Sequence, residues 1–182
     1  VNLKAGLPFD TPKLFARAFN KAYGLGADRL NIDMIKMKEG TLLRKNASRY
    51  GYIYDSREPF EIIRSDFLKP ADVIKIKMIA MLVSKYSFGF EDSIKKIRTD
   101  LRLKPYNLFS SLAEYVMDGE LIDKLNDKAD LYRLIYSYAT SIYDASGETL
   151  QLPILMQVLE SDMKSLLNKD EFDEFKSEGW KF

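Results

Sequence analysis

The sequence predicts an α+β protein, mainly α, in which a parallel β-α-β unit precedes a small orthogonal helical bundle. Three observations predict it. Apolar residues alternate at period two in VNLKA (Val1, Leu3, Ala5) and again in RLNIDM (Leu30, Ile32, Met34), the pattern of half-buried strands. Between these stretches Leu14, Phe15, Ala18, Phe19, Ala22 and Tyr23 fall on one helical stripe. From Lys69 onward every periodic segment repeats at the helical period instead. A chain of 182 residues, 46% of them hydrophobic, is large and apolar enough to bury a core.

Each element has local signals. Gly6 and Pro8 end the first strand, Asp10 or Thr11 caps the helix that follows, and Pro12 sits in its first turn. Gly24 and Gly26 stop that helix. A strand, a helix of three turns and a second strand make a crossover, and such crossovers are parallel and right-handed. In KEGTLLRKNASRYG, Gly40 turns the chain and Thr41 caps a short helix carrying Leu42, Leu43, Ala47 and Tyr50. Gly51 ends it, and YIYD and FEIIR read as two short extended segments around Pro59.

The second part is written in helices. Pro70 opens one through Val73, Ile74, Met78, Met81, Leu82 and Tyr86, stopping near Gly89. Ile94, Ile97 and Leu101 mark the next, and Leu108, Leu112, Tyr115 and Val116 mark a third between Pro105 and Gly119. Leu121, Ile122 and Leu125 give one further turn. Leu131, Leu134, Ile135, Tyr138 and Ile142 form a single stripe, and Leu152, Leu155, Leu159, Met163 and Leu166 form the last long one, with Pro153 in its first turn. The tail DEFDEFKSEGWKF reads as a short docking helix or a frayed end. There is no internal repeat and no low-complexity linker.

Composition closes off several functions. Lys and Arg number 28 against 27 Asp and Glu, so the chain lacks the basic excess that displaces counterions from nucleic acid. It has no cysteine and no histidine. That removes disulfides, thiolate nucleophiles, the commonest general base, and the usual ligands of zinc and iron–sulfur clusters. No loop has the D-x-D-x-D-G spacing of a calcium site, so no metal site is expected. No apolar run approaches the roughly 20 residues of a membrane span and no signal peptide is visible. The reading is a soluble, cytoplasmic protein that binds no nucleic acid and spans no membrane.

One stretch carries a resemblance. Gly40, Thr41, Arg44, Ala47, Tyr50 and Gly51 are similar to the L-x-G-T-x-x-R-x-x-A-x-x-Y-G that follows the sixth strand of radical S-adenosylmethionine enzymes, with Lys38 standing at the motif's leucine. The continuation through Tyr52, Tyr54, Pro59, Phe60, Glu61, Phe67 and Leu68 resembles the C-terminal domain of one subgroup. Its members carry an N-terminal cobalamin-binding domain and are described as anaerobic Mg-protoporphyrin IX monomethyl ester oxidative cyclase-like Fe-S oxidoreductases. LKAGLPFDT resembles that subgroup's L-I-x-G-L-P-x-E-T at the fifth strand, with Asp10 in place of Glu. The similarity covers about residues 1 to 88; beyond them only order and composition agree.

The resemblance implies that residues 1–65 are the C-terminal portion of a (β/α) barrel and residues 66–182 a helical C-terminal domain. It also implies S-adenosylmethionine, a 4Fe-4S cluster and cobalamin as cofactors of the whole protein. The cluster's C-x3-C-x2-C motif would lie upstream, so this chain alone holds no cofactor and is not catalytically competent. Its expected partners are the N-terminal part of its own protein and a second copy, paired through an orphaned first strand. The competing reading is a stand-alone helical protein–protein interaction module without activity.

Candidate site residues follow from both readings. Ala5, Gly6, Leu7 and Pro8 lie at the C-terminal end of the first strand, where barrel active sites sit. The resemblance places the cofactor's adenine against them, and a plain β-α turn accounts for them equally. Asp33 and Lys36, with Lys38 beside them, are substrate-side candidates or solvated charges. Tyr52 and Tyr54, with Tyr50, either flank a planar substrate such as a tetrapyrrole or simply pack. Met78 and Met81 read as core, and Thr41 and Arg44 as a cap and an ion-pair partner. No catalytic residue is assigned.

Overall fold

A computed structural model describes residues 1–177. The fold is α+β and mainly α, with 63% of the described residues helical and a few short strands. The chain divides into two compact units, one spanning Val1–Val83 and the other beginning at Ser84.

In the first unit, β1 (Asn2–Ala5) and β2 (Asn31–Met34) pair in parallel across α1 (Pro12–Tyr23), in the register Asn2 with Asn31 through Ala5 with Met34. This is the crossover that the alternation predicts. Thr11, not Asp10, is the N-cap of α1: it is extended and its hydroxyl accepts from Leu14 N–H at 3.3 Å. The buried face of α1 is Phe15, Phe19 and Ala22, while Leu14 and Ala18 of the expected stripe are exposed. A short α2 (Leu42–Lys45), capped by the Thr41 hydroxyl, runs into a 3-10 turn at Ala47–Tyr50. Gly51 ends that turn at φ +63°, a left-handed conformation that glycine adopts at little cost.

The extended segments around Pro59 form an antiparallel pair, β3 (Ile53–Tyr54) with β4 (Ile62–Arg64). Lys36 bridges Glu61 in antiparallel fashion, and Met37 N–H donates to Phe60 O at 2.8 Å. The chain leaving β2 is thus stitched to the stretch before β4. Helix α3 (Pro70–Tyr86) follows. Val73, Ile76, Met78, Ile79 and Leu82 are buried, whereas Ile74 and Met81 are exposed. Met78 is core as expected and Met81 is not. Apolar residues run almost without interruption from Val73 to Val83, so periodicity alone selects no face of this helix.

The second unit is built of α4 (Glu91–Asp100), α5 (Pro105–Asp118), α6 (Lys128–Ser146), α7 (Leu152–Leu166) and α8 (Lys169–Ser177). Helix α7 packs on α4, α6 and α8. Asp162 of α7 is buried and accepts from Ser93 N–H at 2.9 Å and Ser93 Oγ–H at 2.6 Å, which satisfies donors in the first turn of α4. Phe172 and Phe175 of α8 are buried, so the acid–aromatic alternation of the tail makes an amphipathic helix that docks; residues 178–182 lie outside the described residues. Among the described residues no helix is long and apolar enough to cross a membrane.

Candidate functional site

The C-terminal end of β1 is a tightly tied turn. Gly6 N–H donates to Asp10 Oδ2 at 2.8 Å, and the Tyr52 hydroxyl donates to Gly6 O at 2.7 Å. Both polar groups of one peptide residue are thereby held by side chains from elsewhere in the unit. Gly6 takes φ +85°, and a Cβ there would lie 2.6 Å from Ile62 Cδ1 and 3.1 Å from Met34 Cε. The chain's own packing therefore requires the glycine. Ala5 is fully buried and its carbonyl accepts from Ile35 N–H at 3.0 Å. Asp10 N–H closes the turn onto Leu7 O at 3.0 Å, with Pro8 and Phe9 between. Phe9 takes φ +68°, where glycine is usual, and its ring packs against Phe67 at 5.0 Å and Tyr50 at 5.8 Å. Of the four residues Ala5, Gly6, Leu7 and Pro8, the first two are buried and the latter two reach the surface.

Burial sets the electrostatics of this turn. Desolvation raises the Asp10 carboxyl above its ordinary value, and the Gly6 N–H pulls it back only in part. The Tyr52 phenol is pushed up to about 12, by burial first and by the nearby Asp10 charge second. At neutral pH Tyr52 is a hydrogen-bond donor, the role in which it meets the Gly6 carbonyl.

Asp33 and Lys36 come together elsewhere, on a cavity of about 630 Å³ beside β2. That volume is within the range of small-molecule sites. Its charged lining is Lys4, Asp33, Lys36, Lys38, Glu61 and Lys77. Lys4 Nζ donates to Asp33 Oδ2 at 2.7 Å, and Lys77 Nζ donates to Glu61. Lys36 and Lys38 form no ion pair among the described residues, leaving four ammonium groups against two carboxylates. The apolar lining comes from Ile32, Met34, Ile35, Leu43 and Ala80.

Tyr52 and Tyr54 do not line this cavity. Tyr52 faces Gly6, and Tyr54 lies under Arg44, whose guanidinium is 5.4 Å from its ring centre and 4.6 Å from that of Phe60. Arg44 also donates to Met37 O at 3.0 Å and pairs with Glu39 at 3.3 Å. Planar, forked and stackable, this guanidinium joins α2, the exit of β2 and the β3–β4 pair in a way that lysine would not.

The sequence did not mark Lys4, Glu61 or Lys77 as cavity residues. Lys4 had a signal, because parallel register sets it directly opposite Asp33. The Glu61–Lys77 pair spans 16 positions between a strand edge and a helix, a distance at which sequence periodicity is silent. A second cavity of about 430 Å³ lies in the unit from Ser84 onward, lined by Asp100, Arg102, Ser111, Tyr138 and Glu148 among others. There Asp100 is already engaged by Lys96 and by the Tyr143 hydroxyl.

A mainly helical α+β protein with a parallel β-α-β unit and a lysine-rich cavity at its second strand is the class that these features define. The chain belongs to the family described as protein of unknown function (DUF4080), whose model matches residues 48–182. That domain is associated with B12-binding radical S-adenosylmethionine proteins. No curated protein and no solved structure matches the chain.

Proposed function

We propose that this chain is the C-terminal part of a cobalamin-type radical S-adenosylmethionine Fe-S oxidoreductase of the Mg-protoporphyrin monomethyl ester cyclase-like kind. In this reading it closes the substrate side of the barrel. Membership of the family described as DUF4080 carries the reading, and the parallel pairing of β1 with β2 agrees with the end of a (β/α) barrel. The donor set does not fit an iron–sulfur cluster: the sequence has no cysteine or histidine. Among the described residues no group of three or more carboxylates is placed to hold a metal ion. In this reading the cluster, cobalamin and the bulk of S-adenosylmethionine belong to another part of the protein, and no catalytic residue is assigned here.

What this chain's residues do is position and shield. Leu7 and Pro8, the surface half of the β1 turn, offer apolar contact to the adenine, over a backbone fixed by Asp10 and Tyr52. Asp33 from β2 and Lys36 from just beyond it face the substrate, and Tyr54 stiffens the neighbouring wall through Arg44.

The test is anaerobic reconstitution with iron and sulfide. The intact protein should gain the visible absorption of a 4Fe-4S cluster and form 5′-deoxyadenosine from S-adenosylmethionine under reduction. This chain alone should do neither. A cluster on this chain, or an intact protein that forms no 5′-deoxyadenosine, overturns the reading and favours a helical interaction module.

A further inference from the structure

We propose that the cavity beside β2 binds an organic anion, a carboxylate or phosphate group on an apolar body, anchored by Lys36 and Lys38. The proposal deepens the reading above by naming the chemistry of the substrate side, and rests on it only for calling the ligand a substrate.

Charge is the first argument. Lys4 and Lys77 are neutralised by Asp33 and Glu61, so among the cavity's lining charges those of Lys36 and Lys38 remain; of the two carboxylates that share an adjoining hollow with them, Glu39 is paired with Arg44 and Glu58 is the other. Placement is the second. Lys36 is held by its backbone bridge to Glu61, and Lys38 O accepts from the Thr41 hydroxyl at 2.7 Å. Met37, the residue between them, is fully buried and donates its N–H to Phe60 O. Lys36 and Lys38 are exposed on either side of the buried Met37, and both border the cavity. The backbone is fixed while both ammonium groups remain free to converge on one anion.

The lining is the third argument. Ile32, Met34, Ile35, Leu43 and Ala80 supply apolar surface next to these charges. An inorganic ion would leave that surface wet, whereas an anion with an apolar body covers it. Lysines that merely guard a strand edge against aggregation need no such surface.

The experiment titrates this chain by calorimetry and amide NMR with 2-naphthoate, 2-naphthyl phosphate, the neutral 2-naphthamide and inorganic phosphate. The charged aromatics should bind at least tenfold tighter than the amide, with shifts centred on residues 32–38, and more weakly as sodium chloride rises. Whichever aromatic binds tighter identifies the head group as carboxylate or phosphate. Lys36→Gln and Lys38→Gln should each weaken binding several-fold, and together reduce it to the level of the amide. Lys13→Gln, an exposed lysine outside the cavity lining, should change nothing. Equal binding of amide and naphthoate overturns the proposal, as does inorganic phosphate binding as tightly as the naphthyl ester. Lysine variants that bind normally, or shifts centred elsewhere, also overturn it. None of these measurements involves a cluster or cofactor, so this proposal and the cofactor assay fail independently.

Discussion

Gly6→Ala should destabilise the first unit by about 2–5 kcal/mol, and Ile62→Val should recover part of that loss. Two costs combine. At φ +85° a Cβ opposes the preferred hand of an L-residue, which costs about 1–2 kcal/mol. The same Cβ would lie 2.6 Å from Ile62 Cδ1, and overpacking of a filled core costs typically about 1–3 kcal/mol. The next neighbour, Met34 Cε at 3.1 Å, is the end of a flexible side chain and can yield.

Ile62→Val deletes the clashing methyl. Alone it should cost about 0.5–1.5 kcal/mol, because Ile62 is buried. In the double variant the overlap is gone and only the backbone strain remains. The two changes should then be less costly together than their sum by roughly 1 kcal/mol or more. Urea unfolding followed at the amide resonances of β1 and β2 reads the unit that carries the turn. Additive costs, within about 0.5 kcal/mol, would refute the packing account of this glycine. A Gly6→Ala variant as stable as the parent would refute the conformational account as well.

Two further predictions concern buried hydrogen bonds. Tyr52→Phe removes the donor to Gly6 O and should cost about 1–2 kcal/mol, read in the same urea experiment; a neutral substitution would mean that the Gly6 carbonyl finds another donor. Burial raises the Asp162 carboxyl above its ordinary value despite the two bonds from Ser93, and the charges of Asp92 and Glu91 add to the rise. A raised folded value means that the folded state binds the proton more tightly. Stability contributed by the protonated form is therefore present at low pH and lost as pH rises through that value. Asp162→Asn should remove this component, so melting curves of parent and variant should diverge as pH increases out of the acid range. A difference that does not vary with pH would contradict the assignment.

Much of the fold was legible because its signals are local. Thr11 and Thr41 cap where a hydroxyl precedes an apolar stripe, and the alternation in VNLKA and RLNIDM marks two strands that a helix of three turns can only join in parallel. Local signals also fail in a recognisable way. Leu14 and Ala18 share the stripe of Phe15 and Phe19, yet periodicity does not say how wide a face the rest of the unit covers. Nor could it say that Met81 faces out of a helix that is apolar on nearly every side. The site was half visible: Asp33 and Lys36 announced themselves by position on or just after the second strand. Glu61 and Lys77 did not, because what places them beside Asp33 is the long-range pairing of Met37 and Lys36 with Phe60 and Glu61.

That pairing also builds the cavity from two stretches of the chain. The family model begins at residue 48, whereas Lys4, Asp33, Lys36, Lys38, Thr41 and Leu43 of the cavity precede it, and Glu61, Lys77 and Ala80 fall inside it. Neither stretch forms the cavity by itself. What joins them is short-range and polar: Met37 N–H to Phe60 O, the Lys36–Glu61 bridge, and Arg44 reaching from Met37 O to the rings of Tyr54 and Phe60. The family domain supplies one wall and the acid that neutralises Lys77. The β-α-β unit before it supplies the second wall and both unpaired lysines. On the proposal above, the unpaired charges that would select the ligand come from residues that precede residue 48.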